Sequence, residues 1–183
     1  PPRQPVARHP IRSFALPSAT DSEIERFFAL AQTLIDAGDP ANYAGSLFGE
    51  RLPDSGDRVP SILMQIAIGD EVIPNTASWS LARALGVPQI APIVEAVTLV
   101  PPELDALPIR MNVAGGKATA GLFQFDRVRG ALGVKPQDST HQNTATSYEA
   151  VTQSAHFLQT WFDGGQAQIL DPYAETDTPP LPK

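Results

Sequence analysis

Hydrophobic and polar positions along this chain follow two periods, and the switches between them outline the fold. Ile24, Phe27, Phe28, Ala31, Leu34 and Ile35 recur at helical spacing behind Thr20-Asp21-Ser22-Glu23, a capping-box pattern, and Gly38-Asp39-Pro40 closes that helix. A loop over 40–60, rich in Gly, Asp and Pro, leads to an apolar run at 61–68 that reads as a buried strand. After Pro74 the pattern predicts a second helix over about 76–85, with Gly86 where a C-terminal glycine cap belongs. Residues 87–108 are apolar but carry Pro88, Pro92, Pro101, Pro102 and Pro108. That spacing forbids a long helix and predicts a Pro-rich insertion, a surface excursion with short strand pieces.

The second half repeats the alternation. Residues 109–113 and 119–125 flank Ala114-Gly115-Gly116-Lys117 and read as a hairpin or strand-turn-strand element. Its second arm holds Leu122-Phe123-Gln124-Phe125, which reads as another buried strand. A loop over 126–146 precedes the clearest helix, 147–163. Thr146-Ser147-Tyr148-Glu149 makes a second capping box, Tyr148, Val151, Ala155, Leu158 and Phe162 share one stripe, and Gly164-Gly165 stops the helix. The ends differ from the middle. Residues 1–19 hold five prolines and no apolar period, predicting an extended arm, and 171–183 are acidic and Pro-rich, predicting a flexible tail.

Strands alternating with helices indicate an α/β layer structure with a parallel sheet. Only two or three strands can belong to that sheet, where a doubly wound domain normally needs about five or more. The core over 20–170 therefore reads as the second half of an α/β domain. Residue 1 is Pro and the first Met is Met64, which reads as a chain cut from something longer.

Composition narrows the chemistry. Hydrophobic content of 42% argues against wholesale disorder. Net charge is −7, without a basic face of the kind phosphate binding needs, so nucleic acid is not an expected partner. No apolar run approaches the length of a transmembrane helix. With no cysteine, disulfide and thiolate chemistry are unavailable and the compartment stays open.

The residue that matters most is Asp70. It follows the 61–68 strand, behind Gly69, with Pro74-Asn75 fixing the exit. A carboxylate at the carboxyl end of a buried strand is where open α/β sheets place working residues. The competing structural reading is that Asp70 caps its own turn or the following helix. Of the three histidines, His9 lies in the Pro-rich arm, and His156 lies about 80–100° round the last helix from its apolar stripe. His141 instead sits in a polar loop, Asp138-Ser139-Thr140-His141-Gln142-Asn143-Thr144, between a buried strand and the final helix. The competing reading there is a solvated surface histidine. Trp79, near the acid turn, is a candidate to face a substrate pocket, the competing reading being core.

An acid after one sheet strand and a histidine after a later one match the second half of the Ser…Asp/Glu…His order of α/β-hydrolases. Asp70-Glu71-Val72-Ile73-Pro74 resembles that superfamily's acid turn, and His141 before a capped terminal helix resembles its histidine loop. The segment is similar to the C-terminal part of large, lipase-like bacterial α/β-hydrolases. The similarity runs through 34–43, the Gln65 to Asn75 block, Gly121-Leu122-Phe123-Gln124-Phe125-Asp126 and the terminal helix. The resemblance implies the C-terminal half of an α/β-hydrolase sheet, few mainly parallel strands with flanking helices. It implies Asp70 as triad acid, His141 as general base, an ester or lipid substrate, no cofactor or metal, and a bacterial setting that is secreted or cell-surface. The gap between the two residues exceeds that of compact hydrolases, which the Pro-rich insertion accounts for.

No nucleophile accompanies them. Gly-x-Ser-x-Gly occurs nowhere, Gly45-Ser46-Leu47-Phe48-Gly49 is out of register, and Ser139 reads as bonded within its own loop. The serine and oxyanion hole are expected in a missing N-terminal half, and the chain by itself is expected to be inactive. Two other readings stand beside this one. One is a non-catalytic, Pro-rich α/β interaction module with closed sheet edges. The other is an acid hydrolase using Asp70 with Glu71, whose adjacent side chains ordinarily diverge at a strand end. Asp36, Asp39 and Asn42 lack calcium-loop order, and 114–117 lacks the phosphate-loop pattern.

Overall fold

In a computed structural model, residues 18–49, 51, 53–56, 58–130 and 135–181 are described. The arm expected over 1–19 falls almost wholly outside them, as does His9. The chain divides into two compact units, 1–42 and 43–183.

The first unit is built on helix α1, Asp21–Ile35, and a 3-10 turn over Asp36–Gly38. Its capping box is complete: Glu23 N donates to Thr20 Oγ1 at 3.3 Å, and Thr20 N donates to Glu23 Oε2 at 2.8 Å. These bonds with Thr20 hold the Glu23 carboxyl below its ordinary value. The loop expected from residue 40 is instead a helix, α2, Pro40–Phe48. Proline suits a first helical position, where its missing N–H has no partner to lose. Asp39 Oδ1 caps the start by accepting from Ala41 N at 2.8 Å.

In the second unit the expected α/β layering is present around a small parallel sheet. Strand β1, Ile62–Ala67, pairs in parallel with β3, Ala120–Phe125, from Ile62↔Ala120 through Ala67↔Phe125. Strand period 2 then sorts the core. Leu122 and Ala120 join Ile66, Ala82, Leu85 and Val87 on the face covered by helix α3, Asn75–Leu85. Phe123 and Phe125 join Ile90, Val128, Ala150 and Ile169 on the other, where the long helix α4, Tyr148–Gly164, packs. Gly86, φ +70°, ends α3 as expected.

The Pro-rich insertion departs from a surface excursion. Ile90 N donates to Leu122 O at 2.9 Å and Leu122 N to Pro88 O at 2.8 Å, so 88–90 lies against the far edge of β3 through a parallel bridge. Gln89 in turn bridges in parallel to Pro102. Val87, Ile90, Val97 and Val100 are buried, so the insertion completes the core. Two buried glutamines hold its irregular backbone: Gln89 Oε1 accepts from Val97 N, and Gln124 Oε1 from Val94 N and Glu95 N.

Three further expectations change. The arms at 109–113 and 119–125 form no strand ladder: Val113 bridges to Ala118 in their connection, and the arms join through side chains, Thr119 Oγ1 accepting from Met111 N and Asn112 bonding both backbone groups of Ala120, while β2, Ile109–Arg110, pairs antiparallel with β6, Gln168–Ile169. The supposed tail packs: α5, Pro172–Glu175, buries Tyr173, and Thr176 and Thr178 are buried beyond it. Polar partners make that burial possible. Thr178 Oγ1 donates to Glu149 Oε1 at 2.5 Å, and Tyr173 Oη lies 2.9 Å from Asp126 Oδ1 beneath the Arg127 guanidinium. Third, the last helix is capped by Ser147, whose Oγ accepts from Ala150 N at 3.1 Å, in place of the expected Thr146–Glu149 box, and it turns its apolar stripe outward. Glu149, Ala150 and Gln153 are buried, whereas Tyr148, Val151, Leu158 and Phe162 are exposed, Phe162 at 74%.

Candidate functional site

The site forms where β1 and β3 end. Ile68 N donates to Phe125 O at 2.8 Å, which extends the pairing one step, and Gly69 then turns the chain at φ +75°, a conformation that favours glycine. Asn75, the first residue of α3, pins the turn from below. Its Oδ1 accepts from Gly69 N at 3.1 Å and Asp70 N at 3.2 Å, and its Nδ2 donates to Ala67 O at 2.6 Å.

Asp70 divides its two oxygens. Oδ1 accepts from Val72 N at 2.8 Å and Ile73 N at 2.7 Å, which is the turn-capping role. Oδ2 lies 3.1 Å from His141 Nδ1. Both readings of Asp70 thus hold at once, one on each oxygen. Burial pushes the carboxyl up, but the Ile73 and Val72 amides and His141 together outweigh it and hold the group below its ordinary value. An ionised carboxylate only accepts, so the geometry suits a His141 ring that donates from Nδ1 and leaves Nε2 facing away from Asp70.

His141 reaches this position on a structured loop. β4, Arg127–Val128, pairs antiparallel with β5, Gln137–Asp138, and the chain then turns back. Buried Ser139 anchors the turn to the end of β3, its hydroxyl donating to Phe125 O and its N–H to Asp126 O at 3.1 Å. That fixes Ser139 as a structural group. Thr140 N donates to Asn143 Oδ1 at 2.8 Å and Thr144 N to Thr140 O at 3.2 Å, which close the turn around His141. The His141 side chain is 39% exposed and that of Asp70 15%.

A cleft of about 290 Å³ opens beside the pair, lined among others by Gln65, Ile73, Ser78 and Thr144. Trp79 does not line it; its ring packs against the core cluster on the α3 face. His156 has a buried Nε2 without a hydrogen-bond partner and lies apart from the cleft. Among the described residues no group of three His, Cys, Asp or Glu side chains is placed to hold a metal ion, and no helix is long and apolar enough to cross a membrane.

Sequence reasoning brought Asp70 and His141 forward and missed three neighbours. Asn75 was read only as fixing the exit with Pro74, because its partners, Ala67, Gly69 and Asp70, lie upstream across the turn rather than at the helix start. Ser78 and Thr144 carry no sequence signal that separates them from other surface hydroxyls. Glu71 does not pair with Asp70; its Oε2 accepts the His141 backbone N–H at 3.1 Å. Comparison of the chain with family models, curated proteins and solved structures gives no match.

Proposed function

We propose that this chain is the acid-and-histidine portion of a serine hydrolase acting on carboxylic esters or lipids, with Asp70 as the triad acid and His141 as the general base. The observation that carries the reading is the 3.1 Å contact between Asp70 Oδ2 and His141 Nδ1, made at the carboxyl ends of adjacent parallel strands. The nucleophilic serine and the oxyanion donors come from polypeptide outside these 183 residues, since no strand-borne Gly-x-Ser-x-Gly is present.

In this reading Asp70 holds His141 in the Nδ1–H tautomer. Nε2 takes the proton of the serine hydroxyl as its oxygen attacks the ester carbonyl, and ionised Asp70 stabilises the imidazolium. The imidazolium returns the proton to the departing alkoxide, leaving an acyl-serine. Water then repeats the sequence, releasing the carboxylic acid and restoring the serine.

Two features outside the site support an incomplete domain over a closed interaction module. β1 has one partner strand among the described residues, which leaves its other edge without a described ladder. The outward stripe of α4 leaves Tyr148, Val151, Leu158 and Phe162 uncovered. The test is ester hydrolysis by the natural polypeptide that contains this segment, followed with p-nitrophenyl esters of short and long acyl chains. Asp70→Asn and His141→Ala are each expected to lower kcat/KM by about 10⁴-fold, and the 183-residue chain alone to leave the esters intact. Activity that survives both substitutions overturns the reading.

A further inference from the structure

The acid turn carries a second carboxylate, and it grips the same residue by a different atom. We propose that Glu71 is a positioning residue that latches the histidine loop, accepting the His141 backbone N–H so that the imidazole is presented to Asp70. This inference rests on the dyad reading above. Glu71 Oε2 lies 3.1 Å from His141 N, and Asp70 Oδ2 lies 3.1 Å from His141 Nδ1. Among the described residues, these are the hydrogen bonds that join the acid turn to the histidine loop.

The geometry explains why two adjacent carboxylates reach one residue. Side chains of neighbouring residues diverge along a strand. Here the chain has left strand geometry at Gly69, φ +75°, and the bonds from Val72 N and Ile73 N to Asp70 Oδ1 fold the backbone into a tight turn. Residues 70 and 71 then both face the loop.

The loop needs the second grip because its other bonds lead elsewhere. Ser139 ties it to Phe125 and Asp126, while Thr140, Asn143 and Thr144 bond to one another, and Asn143 Nδ2 donates to Asp138 O at 3.0 Å. These bonds shape the turn without tying it to β1. With Asp70 alone, an exposed ring would hang from the loop by two rotatable bonds, and its contact would compete with water. Fixing the His141 main chain at Glu71 makes the ring-to-carboxylate contact an intramolecular meeting of preplaced groups. Asp70 thus sets the tautomer and Glu71 sets where the ring hangs.

The test uses the 15N-labelled 183-residue chain and two NMR readouts, exchange of the His141 amide and the tautomer of its ring. Glu71→Ala and Glu71→Asp are expected to speed amide exchange by about tenfold and to reduce the Nδ1–H tautomer. Glu71→Asp keeps the charge but is one methylene short, so it separates the hydrogen bond from the field of the carboxylate. Glu71 is exposed and joins neither core cluster, so the fold is expected to hold; should Ala disturb the turn, the Asp variant decides. Glu71→Gln retains an acceptor oxygen and is expected to restore both readouts. Wild-type exchange and tautomer in Glu71→Asp overturn the proposal. Asp70→Asn separates this from the dyad reading: it is expected to change the tautomer while the amide stays protected. An unchanged tautomer there counts against the dyad, whereas the amide result still reports on Glu71.

Discussion

β1 and β3 run side by side in register, yet they occupy different environments. Every residue of β3 from Ala120 to Phe125 is buried, while on β1 only Ile66 and Ala67 are. β3 has β1 on one side and the 88–90 bridge on the other, with α3 and α4 covering its faces. Among the described residues β1 has a partner strand on one side only. The difference teaches that the framework and the candidate acid turn are placed on different strands. β3 is the interior element that fixes the framework, and β1 is an edge that carries the acid turn toward uncovered surface.

The most forceful way to break this comparison is to truncate a core side chain on each strand. Phe123→Ala removes a fully buried ring packed on Phe125 and Tyr173, and is expected to cost about 3–5 kcal/mol. Met64→Ala on half-buried β1 is expected to cost about 1 kcal/mol, because less surface returns to water. Urea unfolding measures both, and equal costs would erase the distinction between the strands. Gly121→Ala probes the packing of β3 from the other direction. A Cβ there would lie 2.3 Å from Ile90 Cγ1 and 2.5 Å from its Cδ1, and Ile90 is buried, so a loss of about 1–3 kcal/mol is expected, and a smaller one in an Ile90→Ala background, where both atoms are gone.

Acid is expected to loosen the acid turn after β1 and the packing at the start of α4. The Asp70 carboxyl is held low despite burial, by the Ile73 and Val72 amides and His141. Glu149 is held low despite burial too, by Thr178 and the Arg129 main and side chains. A carboxyl whose folded value is depressed contributes stability that is full above its unfolded value, near pH 4, and is lost as pH falls through the folded one. Urea midpoints are therefore expected to drop below about pH 5, and Asp70→Asn to flatten part of that slope. The smallest effect is expected on the uncovered side. Phe162→Ser on the outward stripe of α4 should change stability by no more than about 0.5 kcal/mol while reducing light scattering from self-association.

Much of the framework was readable from residue order. Thr20 and Gly86 mark helix ends through chemistry that is local to each end, so they were found where expected, whereas the cap of α4 falls on Ser147, one residue past the Thr146 box, because Glu149 is taken by Arg129 and Thr178. The two strands, and the pairing of an acid after one with a histidine after the other, follow from pattern and order as well. The inward face of α4 was misread for a physical reason. Periodicity counts apolar residues, but Glu149 and Gln153 are buried because their partners satisfy them: Arg129 and Thr178 for the first, Gln65 and Leu170 O for the second. The Pro-rich insertion joins the sheet through single bridges, which leave no period to detect. Tyr173 and Thr178 were hidden in an acidic, Pro-rich stretch whose ordering depends on groups far upstream, Asp126 and Glu149. Glu71 was weighed only against its neighbour Asp70, because its partner lies on a distant loop.

The most direct measurement on the central claim is the ring Nδ1 proton of His141, observed in the 183-residue chain by 1H–15N NMR near neutral pH. A downfield Nδ1–H signal, present in the wild type and lost in Asp70→Asn, is the result expected if Asp70 and His141 form the acid–base pair of a hydrolase. An Nε2–H tautomer in the wild type, or a spectrum that Asp70→Asn leaves unchanged, would contradict it.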